Sequence, residues 1–132
     1  MISDKLLPSA EAIFASLAEV EAAGNIPEPK GWKVLIAMPS FATTTKGGIL
    51  LAEEYVEREE SASPVALVVK LGPAAYKDER KFPGGPNCKV GDFIVVRPYS
   101  GTRIIIHGKE FRLINDDTVE AVVPDPSVIG RV

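Results

Sequence analysis

The sequence has few of the side chains from which metal sites and most catalytic centres are built. Its 132 residues include one cysteine, Cys88, and one histidine, His107. A single cysteine excludes an internal disulfide, and no pair of Cys or His residues has the spacing of a metal site. The GxSxG nucleophile elbow and the GxxxxGK[ST] phosphate loop do not occur either. We therefore expect a protein that is not an enzyme and that uses no metal or cofactor of its own.

Long apolar runs and an excess of basic charge are also missing. Without a stretch of about 18 apolar residues, no membrane span and no membrane partner are predicted. The first residues, MISDKLLPSAEA, carry acids early and do not resemble a signal peptide, so a cytoplasmic protein is expected. Fifteen Lys and Arg residues stand against eighteen Asp and Glu residues, which gives a net charge of −3. That balance argues against a nucleic-acid partner, which needs a basic face.

Proline and glycine, by contrast, are frequent, with eleven of each. This composition favours short strands joined by turns over a helix bundle. The carboxylates are plentiful but lie in polar segments, where we expect solvated charge and no catalytic role. They are Glu53, Glu54, Glu57, Glu59, Glu60, Asp116 and Asp117.

A short helix is predicted near the start of the chain, over residues 9–23 (SAEAIFASLAEVEAA). Ser9 is a suitable N-cap and Gly24 a suitable stop. The apolar residues that share one face at helical spacing are Ala10, Ile13, Phe14, Leu17 and Val20. The proline-containing segment NIPEPKG, residues 25–31, then predicts a linker, so that residues 1–29 form an N-terminal extension.

The pattern then changes to strands, and we predict a mainly β domain over residues 30–124 followed by a tail, 125–132. The predicted strands are Trp32–Met38, Pro64–Leu71, Asp92–Arg97, Thr102–Ile106, Glu110–Ile114 and Thr118–Val123. HGK between the fourth and fifth strands predicts a hairpin turn in which His107 is solvated. Short strands without intervening helices indicate a small antiparallel barrel or sandwich. Two connections, about 39–62 and 72–88, are far longer than the usual ~4–6 residues, and such loops are often functional.

The first long loop contains TTTKGGILLAEE, residues 43–54, in which a glycine pair precedes three large aliphatic residues. One interpretation is a core strand, Ile49-Leu50-Leu51, that follows a hairpin turn at Gly47-Gly48. The other is an apolar tripeptide on a mobile tether, because glycine adds backbone freedom and positive φ angles. The local pattern alone favours the core strand.

The C-terminal half of the chain decides between these interpretations through a family resemblance. KVGDFIVVRPYSGTRIIIHGKEFRLINDDTVEAVV, residues 89–123, resembles the corresponding half of the GroES-type (chaperonin-10) co-chaperonins. The matching elements are Val90-Gly91-Asp92, Tyr99 with Gly101, Gly108 with Glu110, Leu113-Ile114 and Val119 to Val123. GWKVLIAM resembles the first strand of that family, and PVALVVKLG resembles the strand that leaves its mobile loop. The resemblance covers roughly residues 30–124, and the order and spacing of the elements carry it.

The resemblance implies a small GroES-like β-barrel that forms a ring of seven subunits and caps a double-ring chaperonin. Such a lid closes the folding chamber over an encapsulated substrate protein, and ATP acts through the chaperonin. In the family, an aliphatic tripeptide after a glycine pair docks on the chaperonin. Here these chaperonin-binding residues are Gly47, Gly48, Ile49, Leu50 and Leu51. Residues 72–88 correspond to the roof hairpin, and the first strand, Trp32–Met38, is expected to pair with the last strand, Thr118–Val123, of a neighbouring subunit.

The chain departs from the short bacterial members in its N-terminal extension, its tail and the acidic stretch EEYVEREE of the long loop. Enlarged members of this kind resemble viral co-chaperonins, which makes a phage origin, and then the host cytoplasm, one expectation. An alternative function is a self-assembling structural or binding module, viral in origin, that never contacts a chaperonin. It predicts that Ile49-Leu50-Leu51 is buried. Zinc-dependent alcohol dehydrogenases contain a similar barrel, but this chain lacks their metal ligands and their GxGxxG motif.

Overall fold

The described part of the chain contains six short antiparallel strands and one 3-10 turn. The computed structural model describes residues 24–38 and 63–125. The strands are β1 (Lys33–Ala37), β2 (Val65–Leu71), β3 (Phe93–Val95), β4 (Thr102–Ile106), β5 (Lys109–Asn115) and β6 (Ala121–Val123), with the 3-10 turn at Asp116–Thr118. The mainly β prediction is confirmed, and all six predicted strands are present. The helix predicted over 9–23, the loop 39–62 and the tail from residue 126 onward lie outside the described residues.

The strands form one sheet in the order β4-β5-β1-β2-β3-β6, in which all neighbours are antiparallel. The sheet coils into a small barrel around a core to which β1, β2, β3, β5 and the 72–88 segment contribute. Val34 and Ile36 of β1 face this core, whereas Leu35 and Ala37 face a second apolar cluster on the opposite side of the sheet. Burial on both faces explains why β1 is a continuous apolar run, since an alternating strand would leave one face in water.

The position of β1 corrects one expectation about assembly. Both of its edges are paired within the chain, because Val34 lies opposite Leu71 of β2 and opposite Ile114 of β5. No backbone edge of Lys33–Ala37 is left for a neighbouring subunit, so the expected pairing of the first predicted strand with the last strand of another copy is wrong for these residues. β6, in contrast, lies at the end of the described sheet and pairs there with β3 on one side.

The segment between β2 and β3 also differs from expectation. Residues 72–88 contain turns but no strand, so the segment is a loop without the paired strands of a regular hairpin, and its role as a roof stays a prediction. Tyr76 and Phe82 point into the barrel core, where they are 6% and 8% exposed, and their rings meet edge to face at a centroid distance of 4.8 Å. Because these two aromatic rings anchor the segment and its three prolines cannot donate ladder hydrogen bonds, it folds as a compact cover on the barrel.

The hairpin between β4 and β5 follows the prediction closely. His107 and Gly108 form a two-residue loop with φ angles of 49° and 76°, the positive pair that the twist of a tight hairpin favours. His107 is exposed as predicted. Its Nε2 lies 2.8 Å from Oδ1 of Asn25, which brings the start of the described chain against this turn.

Gly72 provides a test of how closely the chain packs at the end of β2. A Cβ at this position would lie 2.4 Å from the carbonyl oxygen of Gly31 and 2.8 Å from that of Lys33. Gly72→Ala is therefore expected to lower the free energy of unfolding by about 1–3 kcal/mol, the usual range for overpacking, in a urea titration. Gly84→Ala is the matched control, because nothing lies within 4 Å of a Cβ there. Equal midpoints for the two variants would contradict the prediction.

Candidate functional site

The two ends of the long loop, 39–62, are fixed at the same end of the sheet. Met38 is 1% exposed, and its N–H donates to the carbonyl oxygen of Glu110 at 3.0 Å. Ser63 is fully buried; its hydroxyl donates to the carbonyl oxygen of Val65 at 3.0 Å and accepts the Val65 N–H at 3.2 Å. Since β1 and β2 are antiparallel neighbours, the chain leaves and returns at the same end of the sheet. A two-residue turn is enough to join such strands, whereas the connection in this chain has 24 residues.

The residues predicted to bind a chaperonin lie within this long loop, 39–62. Gly47, Gly48, Ile49, Leu50 and Leu51 fall outside the described residues, so their role stays a prediction. What the structure adds is the pair of buried attachment points, Met38 and Ser63, which sequence reasoning did not single out. The signal for them was present, because each residue directly adjoins a long apolar strand.

A buried charge network adjoins Met38, the first attachment point of the long loop, through Glu110. Glu110, 5% exposed, accepts from Nε of Arg103 at 2.8 Å and from Nε of Arg112 at 2.9 Å. Arg112 is only 2% exposed; it also donates to the carbonyl oxygen of Ser100 at 3.0 Å and lies over the Tyr99 ring at 5.8 Å. The sequence analysis placed Glu110 at the start of a predicted strand but did not predict this network. The alternation of Glu110 and Arg112 along β5 was the available signal, because it places them on the same side of the strand.

A second buried acid corrects another expectation. Asp116 was predicted to be solvated, but it is 4% exposed and accepts the backbone N–H of Tyr76 at 3.0 Å. This bond fixes Tyr76 in a left-handed conformation with φ of 60°. The neighbouring Asp117 is exposed as predicted, and it accepts a hydrogen bond from Lys81 at 2.7 Å that raises the pKa of the lysine. The carboxylates of Asp116 and Asp117 thus connect the 72–88 segment to the 3-10 turn before β6.

The lone cysteine belongs to the same anchoring cluster. Cys88 Sγ lies 3.3 Å from the Tyr76 hydroxyl, and both side chains are buried. Burial raises the pKa of Tyr76, and its hydrogen bond with Cys88 raises it further. Burial also raises the pKa of the Cys88 thiol, although the hydrogen bond from Tyr76 acts in the opposite direction. A neutral, enclosed thiol is a packing group, since reactivity requires the thiolate.

These raised pKa values predict that the fold weakens in alkali. In the unfolded chain a thiol ionises near pH 8.5 and a tyrosine near pH 10 (approximate reference values), whereas in the folded chain the pKa values of both groups are raised. The free energy of unfolding is therefore expected to be level below about pH 8 and to fall as pH rises above it. Urea titrations from about pH 7 to 10.5 measure this slope. Cys88→Ala is expected to flatten its first part, near pH 8.5 to 9.5, and an unchanged slope in that variant would contradict the assignment.

The surface of the described residues also contains an open cavity. An open cavity of about 570 Å³ lies between the β3–β4 connection and the turn before β6, lined by Arg97, Tyr99, Asp117 and Glu120 among others. Among the described residues there is no group of three or more His, Cys, Asp or Glu side chains that could hold a metal ion. Nor does a helix in the described ranges have the length and apolar character to cross a membrane.

A small antiparallel barrel with a long connection between its first two strands is the architecture that the co-chaperonin resemblance implied, and comparison with known proteins agrees. The family model described as the chaperonin 10 kDa subunit matches residues 27–123. A curated relative named co-chaperonin GroES, from Caldicellulosiruptor saccharolyticus, is 33% identical over 97 residues, or 74% of this chain and 96% of the relative.

Two further relatives of the same name give similar values. The protein of Acetivibrio thermocellus is 32% identical over 95 residues, covering 72% of this chain and 95% of the relative. That of Clostridium beijerinckii is 31% identical over 96 residues, covering 73% and 96%. The chain therefore belongs to the chaperonin-10 family of GroES-type co-chaperonins.

Proposed function

We propose that the protein is a co-chaperonin that forms a ring and caps a double-ring chaperonin through the tripeptide Ile49-Leu50-Leu51. The observation that carries the proposal is the 24-residue connection between two adjacent strands, attached at the buried residues Met38 and Ser63. Rigid attachment fixes where each loop leaves the barrel, and the loop sequence places its apolar residues midway along it. The family membership supports the same function.

The energetics of such a loop explain why a ring is required. Ordering five or six residues on binding costs roughly 5–12 kcal/mol at about 1–2 kcal/mol per residue. Burying three large aliphatic side chains returns about 5–9 kcal/mol, so a single loop is a weak binder. When several identical loops are held in one ring, each docked loop raises the effective concentration of the next. The ring as a whole then binds strongly, and the lid can still dissociate because each individual contact is weak.

The described sheet supplies an edge on which a ring can be built. β6 ends the sheet, and Val122 at its centre is 46% exposed. An unpaired edge with an exposed apolar residue pairs readily with another chain. We place this edge at the contact between neighbouring subunits of a heptamer. Its partner in the next subunit is a segment other than β1, whose two edges are taken.

The remaining parts of the proposal follow from the capping function. The ring acts in the cytoplasm, and its cavity side faces a protein that is enclosed while it folds. The nucleotide that times capping and release is bound by the chaperonin, so this chain contributes contacts and not hydrolysis.

The decisive experiment is co-sedimentation of the purified full chain with a double-ring chaperonin, with ATP, with ADP and without nucleotide. The expected result is nucleotide-dependent association at one ring of this protein per chaperonin end, with native mass spectrometry giving the ring size. Failure to associate with chaperonins from several bacterial hosts under every nucleotide condition would overturn the function. A ring that forms and never associates would instead support the alternative of a self-assembling module.

A further inference from the structure

The outer side of the barrel carries a second apolar cluster that the capping function does not use. Its members, called here the outer apolar face, are the buried residues Leu35, Ala37, Leu67, Val69 and Phe111, bordered by Phe93, Ile104, Ile106 and Leu113. They come from five of the six strands, β1 to β5. The outer side of a small antiparallel barrel usually alternates to polar residues that meet water. An apolar outer side spanning five strands implies a covering element.

The start of the described chain runs onto this face. Ile26 packs against the cluster, and Asn25 is held by His107 at the β4–β5 turn. Further along, Glu28 forms an ion pair with Lys70 near the end of β2. Residues 25–28 are therefore fixed along the outer side of the sheet before β1 begins. The preceding residues, up to 23, join the chain at the edge of the outer apolar face.

We propose that residues 9–23 form an amphipathic helix that lies across the outer apolar face of the same chain. Its apolar stripe consists of Ala10, Ile13, Phe14, Leu17 and Val20. Fifteen residues of helix span about 22 Å. Five adjacent strands span about 19 Å between the outermost axes. The helix therefore has the length needed to cross the strands that contribute to the face.

The point of attachment and the distribution of charge fit the same arrangement. Gly24 has φ of 71°, the left-handed conformation that commonly ends a helix, and it lies two residues before Ile26. The helix would end against the β4–β5 turn, so Val20 in its last turn would lie near Ile106. Glu19, on the opposite side of the helix by its 3.6-residue period, would face water. An extension of this kind stabilises each subunit and is separate from the loop that contacts the chaperonin.

Cross-linking tests both the docking and its occupant. In a Cys88→Ala background, Val20→Cys combined with Ile106→Cys is expected to give an efficient cross-link within one chain with a short bismaleimide. Glu19→Cys with Ile106→Cys is the matched control, because residue 19 directly precedes residue 20 in the sequence and its thiol would lie on the solvent side of the helix. A cross-link between two chains would overturn the proposal, since a neighbouring copy would then cover the face. Equal yields for the two pairs, or no cross-link, would also overturn it.

A second measurement needs no cross-linker. Leu17→Glu is expected to lower the urea midpoint and to raise the fluorescence of a hydrophobic dye several-fold, because it uncovers the outer apolar face. Ala15→Glu adds the same charge on the solvent side and should change neither. Co-sedimentation of intact rings with the chaperonin reports on the loop and is read separately, so failure of one proposal is distinguishable from failure of the other. A Leu17→Glu variant as stable as Ala15→Glu would overturn the docking.

Discussion

Replacing Leu50 with aspartate is expected to abolish co-sedimentation with the chaperonin and to leave the ring and the barrel intact. The change removes about 1.5–3 kcal/mol of apolar burial from every loop and adds a carboxylate that an apolar groove would have to desolvate. Because every subunit of a ring carries the same substitution, these losses act together on the avidity of the lid. The expected loss therefore exceeds that of one contact and takes binding below detection.

The controls separate docking from folding. Leu50→Met keeps an apolar side chain of similar volume and is expected to retain binding, while Glu53→Gln tests the flanking charge and should have a small effect. If Ile49-Leu50-Leu51 were instead a core strand, Leu50→Asp would lower the thermal midpoint of the isolated protein. An unchanged midpoint with lost binding supports docking. Binding equal to that of the wild type would remove the tripeptide from the site.

Glu110→Gln is expected to lower the free energy of unfolding by about 3–5 kcal/mol, the range for removing one partner of a buried ion pair. The glutamine has nearly the same shape, but it removes the negative charge that lies 2.9 Å from the guanidinium of Arg112, a side chain with 2% exposure. Arg103 loses its contact with Glu110 as well, although its own side chain is 46% exposed and regains water. Urea titration of the wild type and variant measures the difference.

A matched substitution and a double substitution sharpen this test. Glu120→Gln makes the same chemical change at an exposed position and is expected to shift the free energy by less than about 0.5 kcal/mol. Glu110→Leu together with Arg112→Met removes both charges and should recover much of the loss, as apolar replacements of buried ion pairs often do. If Glu110→Gln proved as harmless as Glu120→Gln, the pair would not be a stabilising element.

The strands were predictable because their signal is local. β1 and β2 are largely apolar runs bounded by glycine, proline or a turn, and the β4–β5 hairpin follows from Gly108. The errors involve partners far away in sequence. Asp116 is buried because it meets Tyr76, 40 residues earlier, and a local pattern holds no trace of that contact. The burial of the Tyr76 and Phe82 rings, which makes residues 72–88 a compact cover, likewise depends on core residues far away in sequence.

The candidate site shows the same division between local and distant information. The residues of the tripeptide were found through the family resemblance, because the local pattern alone favours a core strand. Their attachment points, Met38 and Ser63, became visible only once β1 and β2 were known to be neighbours in the sheet. The network of Glu110 and Arg112 beneath Met38 required the strand alternation to be combined with burial.

The position of Met38 and Ser63 at the same end of two neighbouring strands also sets a length scale. Leu50 lies twelve residues after the first and thirteen before the second, so it is close to the midpoint of the connection. From two neighbouring attachment points, the midpoint of a chain is the position that extends farthest, here to at most about 40 Å at ~3.3–3.6 Å per residue. Equal insertions on both sides of the tripeptide would lengthen this radius, and an insertion on one side alone would leave it set by the shorter arm. If the tripeptide docks as proposed, loop symmetry and not loop length alone sets how far the barrel can stand from the chaperonin surface.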